Sequence, residues 1–188
     1  MKTLEELKQH CATCQKCALG ATRTNLVFGT GNEGADLLFV GEAPGEQEDL
    51  TGIPFVGRAG QLLDKFLFAV DIPRSQVYIA NILKCRPPKN RDPLPEEEDA
   101  CIGYLDEQIA LIKPKMIVCL GRISAMRLIK PDFKITQEHG KWFMRNGYAI
   151  TAVFHPAALL RDPRKKEDML EDMKAIKKKL DELGGNDK

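Results

Sequence analysis

Cysteine, asparagine, histidine and one phenylalanine occur in this sequence at places where they could do chemistry. Six cysteines stand at positions 11, 14, 17, 85, 101 and 119. Cys119 lies inside the apolar run Met116-Ile117-Val118-Cys119-Leu120 and reads as a small buried hydrophobe. The other five fall in polar, turn-like surroundings, and Cys11-x2-Cys14-x2-Cys17 has the spacing at which one loop offers two thiolates to one metal. Cys14, Cys17, Cys85 and Cys101 together read C-x2-C-x67-C-x15-C. Four thiolates suit an iron–sulfur cluster or zinc, and this spacing matches neither the common ferredoxins nor zinc ribbons, so both metals stay open. Either would staple distant segments together.

Four further positions combine a reactive or recognising group with a loop. The glycines and proline of Gly41-Glu42-Ala43-Pro44-Gly45-Glu46 let backbone N–H groups come close to carbonyl oxygens or phosphates; the same composition also makes a plain strand-to-helix turn. Phe55, in Gly52-Ile53-Pro54-Phe55-Val56-Gly57-Arg58, can stack on a flat ring or fill a satellite core. Asn81 ends an apolar run, where its amide can read one edge of a nucleobase or tie down a loop. His155 follows Ala152-Val153-Phe154 and precedes Pro156, a terminus at which a neutral imidazole N–H can stabilise a developing oxyanion.

The elements that must hold these groups can be read from periodicity. Short β-rich runs cover Ala35–Val40, Val77–Leu83, Lys115–Leu120 and Tyr148–Phe154, and helical patterns lie near Gly60–Val70, Pro95–Ile112, Arg122–Ile129 and Arg164–Leu183. The alternation predicts a three-layer α/β/α sandwich around a short, mainly parallel four-stranded sheet, with the N-terminal cysteine loop closing a metal cluster. Leu4–His10 is a short helix leading into that loop, Asn146-Gly147 signals a hairpin, and Gly184-Gly185 ends the last helix. Ligands of open α/β sheets bind beyond the carboxyl ends of the strands. Gly41–Gly45, Asn81, Gly121 and His155-Pro156 therefore converge on one rim.

Length and charge bound the rest. The chain has 188 residues with 43% hydrophobic and 29% charged, one domain's worth of globular polypeptide. No apolar run approaches the roughly 18 residues that cross a bilayer, and the acidic, amphipathic start lacks a secretory core, so a soluble, cytoplasmic protein without a membrane partner is expected. Lys plus Arg is 28 against 27 for Asp plus Glu, a net charge of +1 that excludes a strongly basic coat. Charge is nevertheless segregated: Arg74 to Arg91 holds five bases and no acid, Asp92 to Glu107 seven acids and no base. Such segregation builds either a phosphate-binding groove or ordinary solvated faces.

Taken together, these residues resemble the family 4 uracil-DNA glycosylases, the iron–sulfur branch of that superfamily. The resemblance is carried by Cys14-Gln15-Lys16-Cys17-Ala18-Leu19 with Arg23 and Val27-Phe28-Gly29, by Gly41–Gly45, and by Pro54-Phe55-Val56-Gly57-Arg58-Ala59-Gly60. It continues through Asn81 with Lys84-Cys85-Arg86-Pro87-Pro88 and Asn90-Arg91, and His155-Pro156-Ala157-Ala158-Leu159-Leu160-Arg161. It implies a single-domain, monomeric enzyme of base excision repair that acts on uracil in single- or double-stranded DNA. It also implies a [4Fe–4S] cluster on Cys14, Cys17, Cys85 and Cys101, with zinc as the alternative and Cys11 as an unassigned extra. The flipped uracil would stack on Phe55, meet the backbone of Gly41, Glu42 and Ala43, pair with Asn81, and leave as an anion stabilised by His155. Leu159 and Leu160 would wedge into the stack while Arg161, Lys84 and Arg86 hold phosphates. Glu48 or Glu46 would exclude the thymine methyl. Where better-known members of the superfamily carry a water-activating aspartate, this sequence has Ala43, leaving adjacent Glu42 as the candidate base.

Two other classes compete with this reading. A non-catalytic metal-bearing module of a replication or repair assembly would bind uracil-DNA without releasing uracil. A Rossmann-like small-molecule enzyme would use Gly41–Gly45 for phosphate, but that loop lacks G-x-G-x-x-G.

Overall fold

A computed structural model describes residues 2–185. Among the described residues six strands form one sheet: β1 Thr30–Gly31, β2 Leu37–Gly41, β3 Tyr78–Asn81, β4 Met116–Leu120, β5 Phe143–Arg145 and β6 Tyr148–Val153, in the order β1-β3-β2-β4-β6-β5. The four expected strands are the central ones, and they are parallel throughout. The sheet is wider than expected because two short antiparallel strands, β1 and β5, flank them. β1 has two residues, too few to show a hydrophobic period. β5 enters through the expected hairpin, with Asn146 and Gly147 both at positive φ (50° and 87°), the pairing a tight type I′ turn requires.

Helices cover both faces. They are α1 Leu4–Ala12, α2 Leu19–Thr22, α3 Glu46–Thr51, α4 Arg58–Ala69, α5 Pro95–Ile112, α6 Arg122–Leu128, α7 Ile135–Glu138, α8 Pro156–Arg161 and α9 Lys166–Gly185. The final helix runs through Gly184 and Gly185 rather than stopping before them. Strand side chains alternate between two cores. Leu38, Val40, Ile117 and Cys119 face Leu4, Leu7, Tyr104, Leu105 and Leu128 of α1, α5 and α6. Leu37, Phe39, Met116 and Val118 face Leu63, Phe66, Met169 and Met173 of α4 and α9. This is the three-layer sandwich expected from sequence, its central strands buried on both sides.

The chain leaves β2 towards α4 on one face and leaves β4 towards α6 on the other, which makes the space between these adjacent strands a topological switch point. Gly41 and Asn81 are register partners at the ends of β2 and β3, and Leu120 pairs with Val153 two residues before His155. No described helix is long and apolar enough to cross a membrane.

Candidate active site

Gly41 lets two groups close on the end of β2. A Cβ placed there would stand 2.5 Å from Asn81 Oδ1 and 2.6 Å from Phe55 Cζ, so only a residue without a side chain allows the amide and the ring to approach together. The Asn81 amide is buried, and its Oδ1 has no hydrogen-bond partner. A buried acceptor left unpaired costs about 1–3 kcal/mol, a cost a bound donor recovers. On the far side the Phe55 and His155 rings lie 5.7 Å apart, tilted by 33°. Gly121, at φ 94°, lets β4 end against the His155 Cβ, which would be only 2.9 Å from any Cβ added there.

The Phe55 backbone is held in the left-handed region, φ 53°, where a bulky residue is strained. Three groups impose that conformation. Arg74 donates to Phe55 O at 2.8 Å and Pro54 O at 2.6 Å, and pairs with Asp64 at 2.9 Å. Gly60 lets the first turn of α4 press onto the Phe55 carbonyl, where a Cβ would be at 1.9 Å. Glu48 accepts from the N–H groups of Gly45, Val56 and Gly57, tying the β2 loop to the Phe55 loop. Glu48 is thus a strut between the two loops with its carboxylate engaged on both, and Glu46 lies exposed in the first turn of α3. Sequence reading missed Arg74 and the bridging role of Glu48, since both depend on contacts between loops.

His155 caps α8: its Nδ1 accepts from the Ala157 N–H at 3.0 Å. Nδ1 therefore carries no proton, and the neutral ring presents Nε2–H. Burial, reinforced by the nearby positive charge of Arg161, pulls its pKa from 6.5 to about 4. Glu42 moves the other way. Burial and then Asp92 lift its pKa to about 7, opposed by Arg122 and Arg161.

The wedge and the phosphate contacts need correction. Leu159 is fully buried in the core beneath α4 and α9, so Leu160, 38% exposed, is the side chain on this helix free to enter a duplex. Arg161 is exposed in the last turn of α8. Lys84 is buried, with Nζ donating to Asn81 O at 2.9 Å and Gln108 Oε1 at 2.7 Å, so it cannot reach a phosphate. It supports the β3 terminus instead. Arg86, half-buried, donates to Asn90 Oδ1 at 2.8 Å. Arg74 and Arg91, the latter bonded to both Glu97 oxygens, are likewise committed internally, which speaks against a phosphate-binding groove along this stretch.

Behind Lys84 lies a second pocket. Cys14, Cys17, Cys85 and Cys101 line it together with Cys11, Arg23 and Tyr104. Arg23 donates to Cys85 Sγ at 3.2 Å and to Ala12 O at 2.6 Å, joining the N-terminal segment to the loop after β3. Four thiols brought from three segments, with a guanidinium to offset thiolate charge, fit a sulfur-ligated group. Among the described residues no three His, Cys, Asp or Glu side chains stand closely enough to hold a metal ion. Cys11 departs from the polar surroundings expected of it, being buried on the inward face of α1 with Leu4 and Leu7.

A crevice at the switch point, an unpaired amide oxygen and a capped neutral histidine define a site for a flat, hydrogen-bonding ring. Residues 28–180 match the family model described as the Uracil DNA glycosylase superfamily, and the chain belongs to that superfamily. Within it, the chain is 45% identical over 184 residues to a type-4 uracil-DNA glycosylase of Archaeoglobus fulgidus, covering 94% of this chain and 92% of the relative. It is 44% identical to a type-4 uracil-DNA glycosylase of Thermotoga maritima, with 86% and 88% covered. A type-5 uracil-DNA glycosylase of Pyrobaculum aerophilum is 31% identical, with 69% and 64% covered.

Proposed function

We propose that this protein excises uracil from DNA by hydrolysing the N-glycosidic bond, leaving free uracil and an abasic site. The observation that carries the reading is the buried, unpaired Asn81 Oδ1 brought together with the Phe55 ring at Gly41. Uracil N3–H supplies the donor that this oxygen lacks, and the amide N–H₂ donates to O4; cytosine offers the reverse pattern. Phe55 stacks on the ring and the backbone of Gly41, Glu42 and Ala43 borders it. Leu160 fills the gap left in the duplex while Arg161 holds a phosphate.

Bond cleavage builds negative charge on uracil O2 and positive charge on the sugar. His155, neutral and presenting Nε2–H, meets the anion without needing to lose a proton, an interaction worth roughly 3–4 kcal/mol. Glu42, its proton affinity raised by burial, takes a proton from the incoming water and stabilises the oxocarbenium-like sugar.

Cys14, Cys17, Cys85 and Cys101 would hold a [4Fe–4S] cluster, a structural crosslink in a reaction that moves no electrons. The all-sulfur donor set favours iron–sulfur or zinc.

Incubation with a uracil-containing oligonucleotide, followed by alkali, tests the function. Strand breaks at uracil are expected; tight binding without breaks would favour a non-catalytic module.

A further inference from the structure

Among the described residues five thiols, not four, line the cysteine pocket. Cys11 is 1% exposed and forms part of the pocket wall beside Leu19, Leu83 and Tyr104. It lies within electrostatic range of Cys101, Cys14 and Cys85. Its position relative to Cys14 is specific. The Cys14 N–H donates to Cys11 O at 3.1 Å, so Cys14 follows directly on the C-terminal end of α1, and Cys11 repeats the x2 spacing that separates Cys14 from Cys17. Packing accounts for a small apolar side chain on this face of α1. A sulfur in the wall of a sulfur-lined pocket, one turn from a ligand, does more than fill space.

We propose that Cys11 is a reserve ligand for the iron–sulfur cluster, able to take the iron held by Cys14. The proposal rests on the cluster assignment made above. The exchange is a ligand substitution: the Cys11 thiol gives up its proton as its sulfur binds iron, and the departing Cys14 sulfur takes one up, with no change of oxidation state. The exchange would call on the C-terminal end of α1, the Thr3–Glu6 capping box and buried Leu4 and Leu7 securing the other end of that helix.

The test uses anaerobically purified full-length protein, with iron and acid-labile sulfide measured per chain and visible and electron paramagnetic resonance spectra recorded. Wild type and Cys11→Ala should carry equal, full clusters. Cys14→Ala should keep most of its iron but show an altered resonance spectrum after reduction, reflecting a changed ligand. The double variant Cys11→Ala/Cys14→Ala should be as depleted as Cys85→Ala, with circular dichroism reporting whether each variant is folded. Loss of iron from Cys14→Ala equal to that from Cys85→Ala would overturn the proposal, as would a double variant as iron-rich as Cys14→Ala. Loss of iron from Cys11→Ala alone would make Cys11 a resident ligand and also overturn it. Wild type free of iron and sulfide would instead overturn the cluster assignment itself.

Discussion

The Nδ1 of His155 accepts a hydrogen bond from the Ala157 backbone N–H at 3.0 Å, and this one contact fixes which ring nitrogen carries the proton. With Nδ1 occupied as an acceptor, the proton sits on Nε2, and burial keeps a second proton off until the pH falls to about 4. His155→Ala should lower single-turnover excision by on the order of 10²–10³ while affinity for uracil-DNA persists. The same burial affects stability. The folded state holds His155 below its ordinary 6.5, so an unfolded chain takes up the proton first, and stability should decline as pH falls from 6.5 through about 4. Urea unfolding of wild type and His155→Gln across that range measures it.

Glu42 should set the pH dependence of the rate. A base with a pKa of about 7 is increasingly protonated below that value, so excision should fall about tenfold per pH unit on the acid side and level off above it. His155 contributes no limb there, being neutral throughout. Single-turnover rates of Glu42→Gln should be low and flat with pH; an unchanged ascending limb would assign it to another group.

Asn81→Asp places an acceptor where the amide donated, next to the ring edge. Uracil excision should fall by at least tenfold, equivalent to about 1.4 kcal/mol, with cytosine in the same oligonucleotide becoming a measurable substrate. Uracil activity at the wild-type level would remove Asn81 from the base-reading edge.

Arg74→Ala should release Phe55 from its left-handed conformation. Two charged-donor bonds to the Pro54 and Phe55 carbonyls disappear, each worth about 1.5–3 kcal/mol, so thermal stability should drop and KM for uracil-DNA should rise more than kcat falls. Arg74→Lys, which reaches one carbonyl but not both, should recover part of the loss.

Leu160→Ala should slow excision from duplex DNA and leave single-stranded DNA nearly unaffected, because only the duplex has a gap to fill. Leu159→Ala should instead destabilise the fold by about 2–5 kcal/mol, since its side chain is part of the core. Comparing the two substrates and the two melting temperatures separates these neighbours.

The sequence located the rim but not its supports. Gly41, Asn81 and His155 could be placed because each follows a strongly apolar strand, and the carboxyl ends of parallel strands share one edge. Lys84 could not, because a lysine in Ile82-Leu83-Lys84-Cys85 reads as a surface charge until Gln108 and the Asn81 carbonyl, reached across the fold, are known. Leu159 and Leu160 were indistinguishable for a similar reason. α8 has six residues, too short for a helical period to show which leucine points inward. Cys11 read as a loop residue because its helix extends two residues past the expected His10.

The adjacency of Leu159 and Leu160 has a mechanical side. Under the proposed function, the residue that pushes into the base stack is joined by one peptide bond to a residue buried in the core, so the recoil of that push passes into packed interior instead of bending a surface loop. A probe mounted on such a footing can displace a stacked base without itself giving way.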